Sequence, residues 1–325
     1  MTTAFNPPDK PIKLTALGSC PEQFHVFDDA SIWAVRSALA TGRPLLVRGE
    51  PGTGKSQLAR AAAFVLKRPW ISAVITSQST SQDLLWQYDA VARLGNAQVL
   101  GSLSKGDIKG WQEQLEDKRF LLPGPLWWTF DWDSAAEQLE ATYLKAAEPP
   151  LYDKKEADPK NGVVLLIDEI DKAESDLPNG LLDSLGNGGF NPPFGVQPVR
   201  QIEQREPLVV ITTNEERELP PAFLRRCLVL HLDLPEERDE LIGWLMERGK
   251  VHFENSSQEI RRQAAEQLVN DRESMLKQGL PAPGQAEYID LLRALGEMSE
   301  EYKIEPGELL EKIKDFALKK QAVRG

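Results

Sequence analysis

The sequence predicts an α/β domain built on a parallel sheet, followed by a smaller, wholly helical unit. Three observations predict it. Five short apolar runs (residues 44–48, 70–76, 163–167, 208–213 and 228–232) alternate with stretches of helical periodicity, as in sheets whose strands are covered on both faces. A glycine-rich turn follows the first run directly and opens onto a helix. After Pro235 the strand pattern stops, and the remainder reads as helix.

Each element has its own signal. Ile32, Val35, Ala38 and Leu39 recur at helical spacing in 30–40, with Asp28 and Asp29 ahead of them as caps. Residues 57–66 read as the helix behind the glycine turn. The stretch 78–161 interrupts the alternation. Within it, 86–94 and 97–103 read as a hairpin turned at Gly95-Asn96, a pair suited to positive φ. Five of the eight tryptophans fall here (Trp86, Trp111, Trp127, Trp128 and Trp132), and they suit either a small core or a partner surface. Residues 149–160, rich in prolines and charges, read as a linker. A helix is expected over 175–185, and a glycine- and proline-bearing excursion over 186–204. Further helices are expected at 236–249, 257–277, 285–298 and 307–320.

Composition narrows the function classes. A chain of 325 residues accommodates about two folding units. No stretch approaches the roughly 18 apolar residues of a membrane span. Residues 1–13 hold prolines and no apolar core, unlike a signal peptide. A cytoplasmic location is therefore expected, without membrane insertion. Cys20 and Cys227 lie too far apart to suggest a disulfide framework or a zinc site. His25, His231 and His252 show no ligand spacing and read as structural. The net charge of -12 counts against a nucleic-acid partner.

The chemistry concentrates in four places. Gly49-Glu50-Pro51-Gly52-Thr53-Gly54-Lys55-Ser56, followed by Gln57, has the phosphate-loop spacing between a strand and a helix. Glycines let successive N–H groups converge on phosphate oxygens, and the helix amino terminus adds its dipole. Lys55 would reach the β- and γ-phosphates, and Ser56 would ligate Mg²⁺. Asp168 and Glu169 end the 163–167 run, where open sheets bind ligands. On a strand next to the phosphate loop, Asp168 would face the metal and Glu169 would act as general base, while Asp171 caps the next helix. Thr212, Thr213 and Asn214 end the next run, and Asn214 either orients water or simply closes a turn. Arg225 and Arg226 follow a short helix at 220–224. As a pair they suit a solvated helix end, or a contact with a neighbouring subunit's phosphate.

In this order the motifs resemble the AAA+ ATPases, and more closely the MoxR-type branch, over about 27–320. Gly49 to Ser56 is similar to Walker A, residues 165–171 to Walker B, Thr212-Thr213-Asn214 to sensor 1, and 219–226 to the arginine-finger helix. The tryptophan-rich stretch with Pro123-Gly-Pro-Leu126 resembles the helix-2 insert, and 186–204 the hairpin ahead of sensor 1. The resemblance implies a P-loop NTPase domain over 27–234 containing the insert and linker at 78–161. An N-terminal extension over 1–26 precedes it, and a helical lid over 235–325 follows. It implies ATP and Mg²⁺ as cofactors and a homo-oligomeric, hexameric ring. Arg226 takes the finger position in trans, with Arg225 sharing it. The usual lid arginine is missing from 280–287; either another lid residue such as Arg293 substitutes for it, or lid closure senses nucleotide differently.

The implied activity is Mg²⁺-dependent ATP hydrolysis coupled to chaperone-like remodelling of a protein client or a von Willebrand A-domain partner. A DNA- or GTP-linked motor of restriction type is the second reading. The missing Asn-Lys-x-Asp motif and the acidic charge count against it. A slow-turnover, nucleotide-gated scaffold is the third, and the intact Lys55, Asp168 and Glu169 count against that.

Overall fold

The computed structural model describes residues 4–18, 20–103, 113–143 and 147–317. An antiparallel pair comes first, β1 (Ile12–Leu14) with β2 (Gln23–His25). Helix α1 (Asp29–Thr41) follows. Its cap is Asp28, which accepts from the Ser31 amide at 2.7 Å while Ser31 Oγ accepts from the Asp28 amide at 3.2 Å. Strand β3 (Leu45–Arg48) enters the glycine turn, α2 (Lys55–Leu66) leaves it, and β4 (Trp70–Val74) comes next. Among the described residues, six helices and strands, besides two short 3-10 turns, then precede β7 (Val164–Asp168). They are α3 (Ser81–Leu85), β5 (Trp86–Tyr88), α4 (Ala90–Leu103), β6 (Leu121–Pro123), α5 (Pro125–Phe130) and α6 (Trp132–Ala141). Helix α7 (Asp176–Asn187) leads into a small antiparallel pair, β8 (Gly189–Phe190) with β9 (Val199–Arg200). Strand β10 (Leu208–Thr213), helix α8 (Pro221–Leu224) and strand β11 (Leu228–His231) complete the α/β part. The chain then turns helical: α9 (Arg238–His252), α10 (Gln258–Lys277), α11 (Gln285–Tyr302) and α12 (Pro306–Ala317).

The main sheet has five parallel strands in the order β11-β3-β10-β7-β4. This is the parallel-sheet α/β class that the sequence predicts, with its helical C-terminal region. Period-two alternation divides its side chains between two cores. Leu46, Leu165, Ile167, Val209 and Ile211 face one, shared with Trp127, Trp128 and Phe130 of the insert. Leu45, Val47, Val164, Leu166, Leu208 and Val210 face the other, against Val35 of α1 and Leu58 of α2. The four C-terminal helices pack on a third core, with Leu245, Leu268, Tyr288 and Leu292 among its buried members.

Two expectations need correction. The hairpin at 86–103 does not form. Its first residues make β5, which pairs with β6 some thirty residues on, whereas Ala90–Leu103 is helical. The Asp89 carboxylate accepts from the Ala92 amide at 2.7 Å and starts this helix. Gly95 then costs only about 1 kcal/mol, which good helix formers around it outweigh. The second correction concerns β7, which is not next to the phosphate-loop strand: β10 lies between them. Trp127 and Trp128 are core residues, Trp86 and Trp132 pack against that core, and Trp111 lies outside the described residues.

Candidate functional site

The turn from β3 to α2 bends tightly. Gly49 has φ +145°, and a Cβ there would stand 2.4 Å from the Leu232 carbonyl oxygen, so only glycine lets β11 come this close. Gly54, at φ +92°, starts α2 in a conformation that L side chains rarely adopt. Lys55 and Ser56 are therefore the first residues of a helix whose amino end faces the turn. Lys55 is buried, and its Nζ donates to the Gly49 and Glu50 carbonyls at 2.8 Å each. Burial pulls its pKa below the usual value, against the opposing pull of Asp168, Asp171 and Glu169.

Ser56 Oγ donates to both Asp168 carboxylate oxygens, at 2.9 and 3.0 Å. Thr212, at the end of β10, completes the arrangement because β10 lies between the two motif-bearing strands. Its hydroxyl donates to Asp168 Oδ1 at 2.5 Å and accepts from the Glu169 amide at 2.9 Å. Glu169 itself sits at φ +59°, a left-handed conformation uncommon outside glycine and asparagine. Asn214 Nδ2 donates to its Oε1 at 3.3 Å, and Lys172 Nζ donates to its Oε2 at 2.5 Å. The phosphate loop, the two acids and Asn214 thus meet at one point, as their positions at the strand ends suggest.

Asp171 does not cap a helix. It is buried and accepts from the Asn214 and Glu216 amides at 3.4 and 2.9 Å, tying the turn after β10 to the turn after β7. Sequence reading missed the ties made by Thr212, Lys172 and Asp171. Only Lys172, three residues beyond Glu169, left a spacing signal.

A cavity of about 550 Å³ opens over Lys55, Ser56, Asp168, Glu169 and Asn214, and its far wall is helical, from Gln285 to Arg293. Arg293 pairs with Asp290 at 3.2 Å. Arg272 of α10 reaches the loop itself and binds Glu50 at 2.7 Å. Arg225 and Arg226 are exposed and are not among the residues lining this cavity. Ser56 and Asp168 bring a hydroxyl and a carboxylate to one place, the oxygen donors that a hard divalent cation takes alongside phosphate and water. Among the described residues, no group of three or more His, Cys, Asp and Glu side chains offers an all-protein metal site.

No curated protein matches the chain. Among solved structures, one single-residue variant of Thermotoga maritima RuvB superposes with a TM-score of 0.46 at 14% identity, covering 89% of this chain and 70% of that one. A second RuvB variant gives 0.42 at 17% identity, over 87% and 66%. The sequence model of the AAA domain, dynein-related subfamily, matches residues 44–227, from just before β3 to just before β11. That segment is more than half of the 325 residues and contains every motif described above, so the chain belongs to the AAA family of ATPases in its dynein-related subfamily.

Proposed function

We propose that the chain is a MoxR-type AAA+ ATPase that hydrolyses ATP with Mg²⁺ in a hexameric cytoplasmic ring and remodels a client or von Willebrand A-domain partner. One observation carries the reading: Ser56, Asp168, Thr212, Glu169 and Asn214, from three segments of chain, converge on a single hydrogen-bonded network. In this reading residues 27–234 are the nucleotide-binding domain, with the insert and linker at 78–161, and 235–325 are the lid.

The amides of the 49–54 turn and of the start of α2 hold the phosphates, with Gln57 one turn further on. Lys55 gives up its two carbonyl contacts and moves its ammonium onto the β- and γ-phosphates. Ser56 and Asp168 would hold Mg²⁺, which neutralises charge on the phosphate oxygens when bound. Glu169 accepts a proton from water as its oxygen bonds to the γ-phosphorus and the bond to the β-phosphate oxygen breaks. Asn214 and Lys172 hold the Glu169 carboxylate in its orientation through one hydrogen bond to each oxygen. Arg226, aided by Arg225, reaches the γ-phosphate held by the neighbouring subunit, which explains why both lie away from their own cavity. Arg293, on the cavity's helical wall, stands in for the missing lid arginine.

The test is Glu169→Gln, in which the carboxylate becomes a neutral amide of the same shape. Nucleotide affinity should persist while turnover drops on the order of 100-fold or more. Unchanged turnover removes Glu169 from the chemistry. Absence of any Mg²⁺-dependent adenine nucleotide binding by the parent chain would sink the whole reading.

A further inference from the structure

Arg43 lies in the short connection between α1 and β3, remote in sequence from the arginine pair. Its guanidinium reaches across to the chain after α8. Nε donates to the Arg226 carbonyl at 3.2 Å, and one Nη donates both to the Cys227 carbonyl at 3.1 Å and to the Arg225 carbonyl. Three consecutive carbonyls that have left the α8 ladder thus share one planar fork. Five N–H donors in fixed geometry make arginine able to do this, and a lysine ammonium has no such fork.

The turn is held on both other sides as well. Phe223 is fully buried in the sheet core and anchors α8. The Leu228 amide donates to the Pro44 carbonyl at 2.9 Å, where β11 begins beside β3. The backbone of Arg225 and Arg226 is fixed from three directions. Among the described residues, neither guanidinium has a hydrogen-bond or ion-pair partner. A rigid backbone carrying two unpartnered cations is what an anion outside this chain requires, because presentation costs little further ordering.

We propose that Arg43 is a positioning residue for the arginine turn, holding Arg225 and Arg226 where they meet the triphosphate bound by an adjacent copy. This rests on the trans-acting role proposed above. Arg43 is not among the residues lining the cavity over Lys55. Its effect should therefore appear in turnover and not in affinity, and on the neighbour's site and not its own.

The experiment compares Arg43→Ala, Arg43→Lys, Arg226→Ala and Lys55→Ala full-length chains, singly and in mixed assemblies, by steady-state ATP hydrolysis and nucleotide titration. Arg43→Ala should lose tenfold or more in turnover with ATP affinity within twofold of the parent, and Arg43→Lys should fall between. Mixing Arg43→Ala with Lys55→Ala subunits should restore activity, as mixing Arg226→Ala with them should, because the second subunit supplies an intact turn. Parental turnover in Arg43→Ala, beside an inactive Arg226→Ala, overturns the clamp alone. So does a loss that Lys55→Ala subunits relieve for Arg226→Ala but not for Arg43→Ala. Full activity of Arg226→Ala instead rejects the trans-acting reading itself. Should Arg43→Ala fail to fold, Arg43→Lys in the same mixtures carries the test, and parental turnover there overturns the clamp.

Discussion

Thr212 shows how much a single hydroxyl can hold at this site. It is fully buried, and it joins the carboxylate of Asp168 to the amide of Glu169 through one donated and one accepted hydrogen bond. Thr212→Val keeps the shape and removes both. A half-buried amide and a charged oxygen then each lose a partner, for a cost of at most about 1–3 kcal/mol apiece, partly recovered by relaxation and water. We expect a lower urea midpoint and, separately, weaker Mg²⁺ dependence of turnover, since Asp168 loses one of its two orienting hydroxyls. Normal Mg²⁺ dependence in a folded Thr212→Val chain would restrict Thr212 to stability. The sequence signals at this scale were uneven for a physical reason. Lys55, Ser56, Asp168 and Glu169 announce themselves because their spacing to glycines or to an apolar run is local. Thr212 acts only because β10 lies between β7 and β3, and strand order leaves no mark in a threonine that ends a run.

Among the elements, the insert separates what local patterns reveal from what packing decides. Gly124 is the pivot. Its amide donates to the Leu85 carbonyl at 3.0 Å, and a Cβ there would stand 2.7 Å from the Leu85 carbonyl carbon and 2.8 Å from the Asp83 carbonyl oxygen. These are backbone atoms, which cannot rotate aside. Gly124→Ala should push α3 from α5 and loosen Trp127, at a cost of about 1–3 kcal/mol measured by urea titration of tryptophan fluorescence. Gly95 makes the opposite case. Nothing lies within 4 Å of its added Cβ, and it occupies the interior of α4, so Gly95→Ala should stabilise by up to about 1 kcal/mol. A hairpin turn with positive φ would be destabilised by the same change, so this one variant separates the two readings of 86–103. The Gly-Asn pair misled because turn chemistry is only permissive. The carboxylate of Asp89 and the pairing of β5 with the distant β6 decided the outcome, and neither is visible in a local window.

At the scale of the whole molecule, the question is what joins the helical unit to the α/β part. Each has its own apolar core, and the helical character beyond Pro235 was legible from periodicity. The seam was not, because the side chains that bridge it are single polar and aromatic ones drawn from distant segments, beside the close approach of 284–286 to the 51–52 turn. Arg272 binds Glu50, Arg248 of α9 donates to the Val26 carbonyl at 3.2 Å, and His252 stacks edge-on against Phe24 of β2. His25, on the same strand, lies edge-on to Phe27 and within 3.4 Å of Gln57 of α2. Burial, reinforced by the Arg248 charge, pulls both histidines from 6.5 down to about 4. Gln57 and Asp28 oppose this at His25, and Arg293 adds to it at His252. Between those two pH values the unfolded chain binds protons that the folded chain refuses. Stability is therefore full above about pH 6.5 and falls as pH drops towards 4, with up to about two protons taken up on unfolding. Replacing both residues by glutamine should flatten urea midpoints plotted across pH 6.5 to 4. A slope unchanged by that double substitution assigns the acid sensitivity to carboxylates elsewhere. Salt distinguishes the two causes within the seam. Desolvation is indifferent to ionic strength, whereas the Arg248 contribution is screened over about 10 Å at 0.1 M, so added salt should trim the histidine-dependent slope without abolishing it.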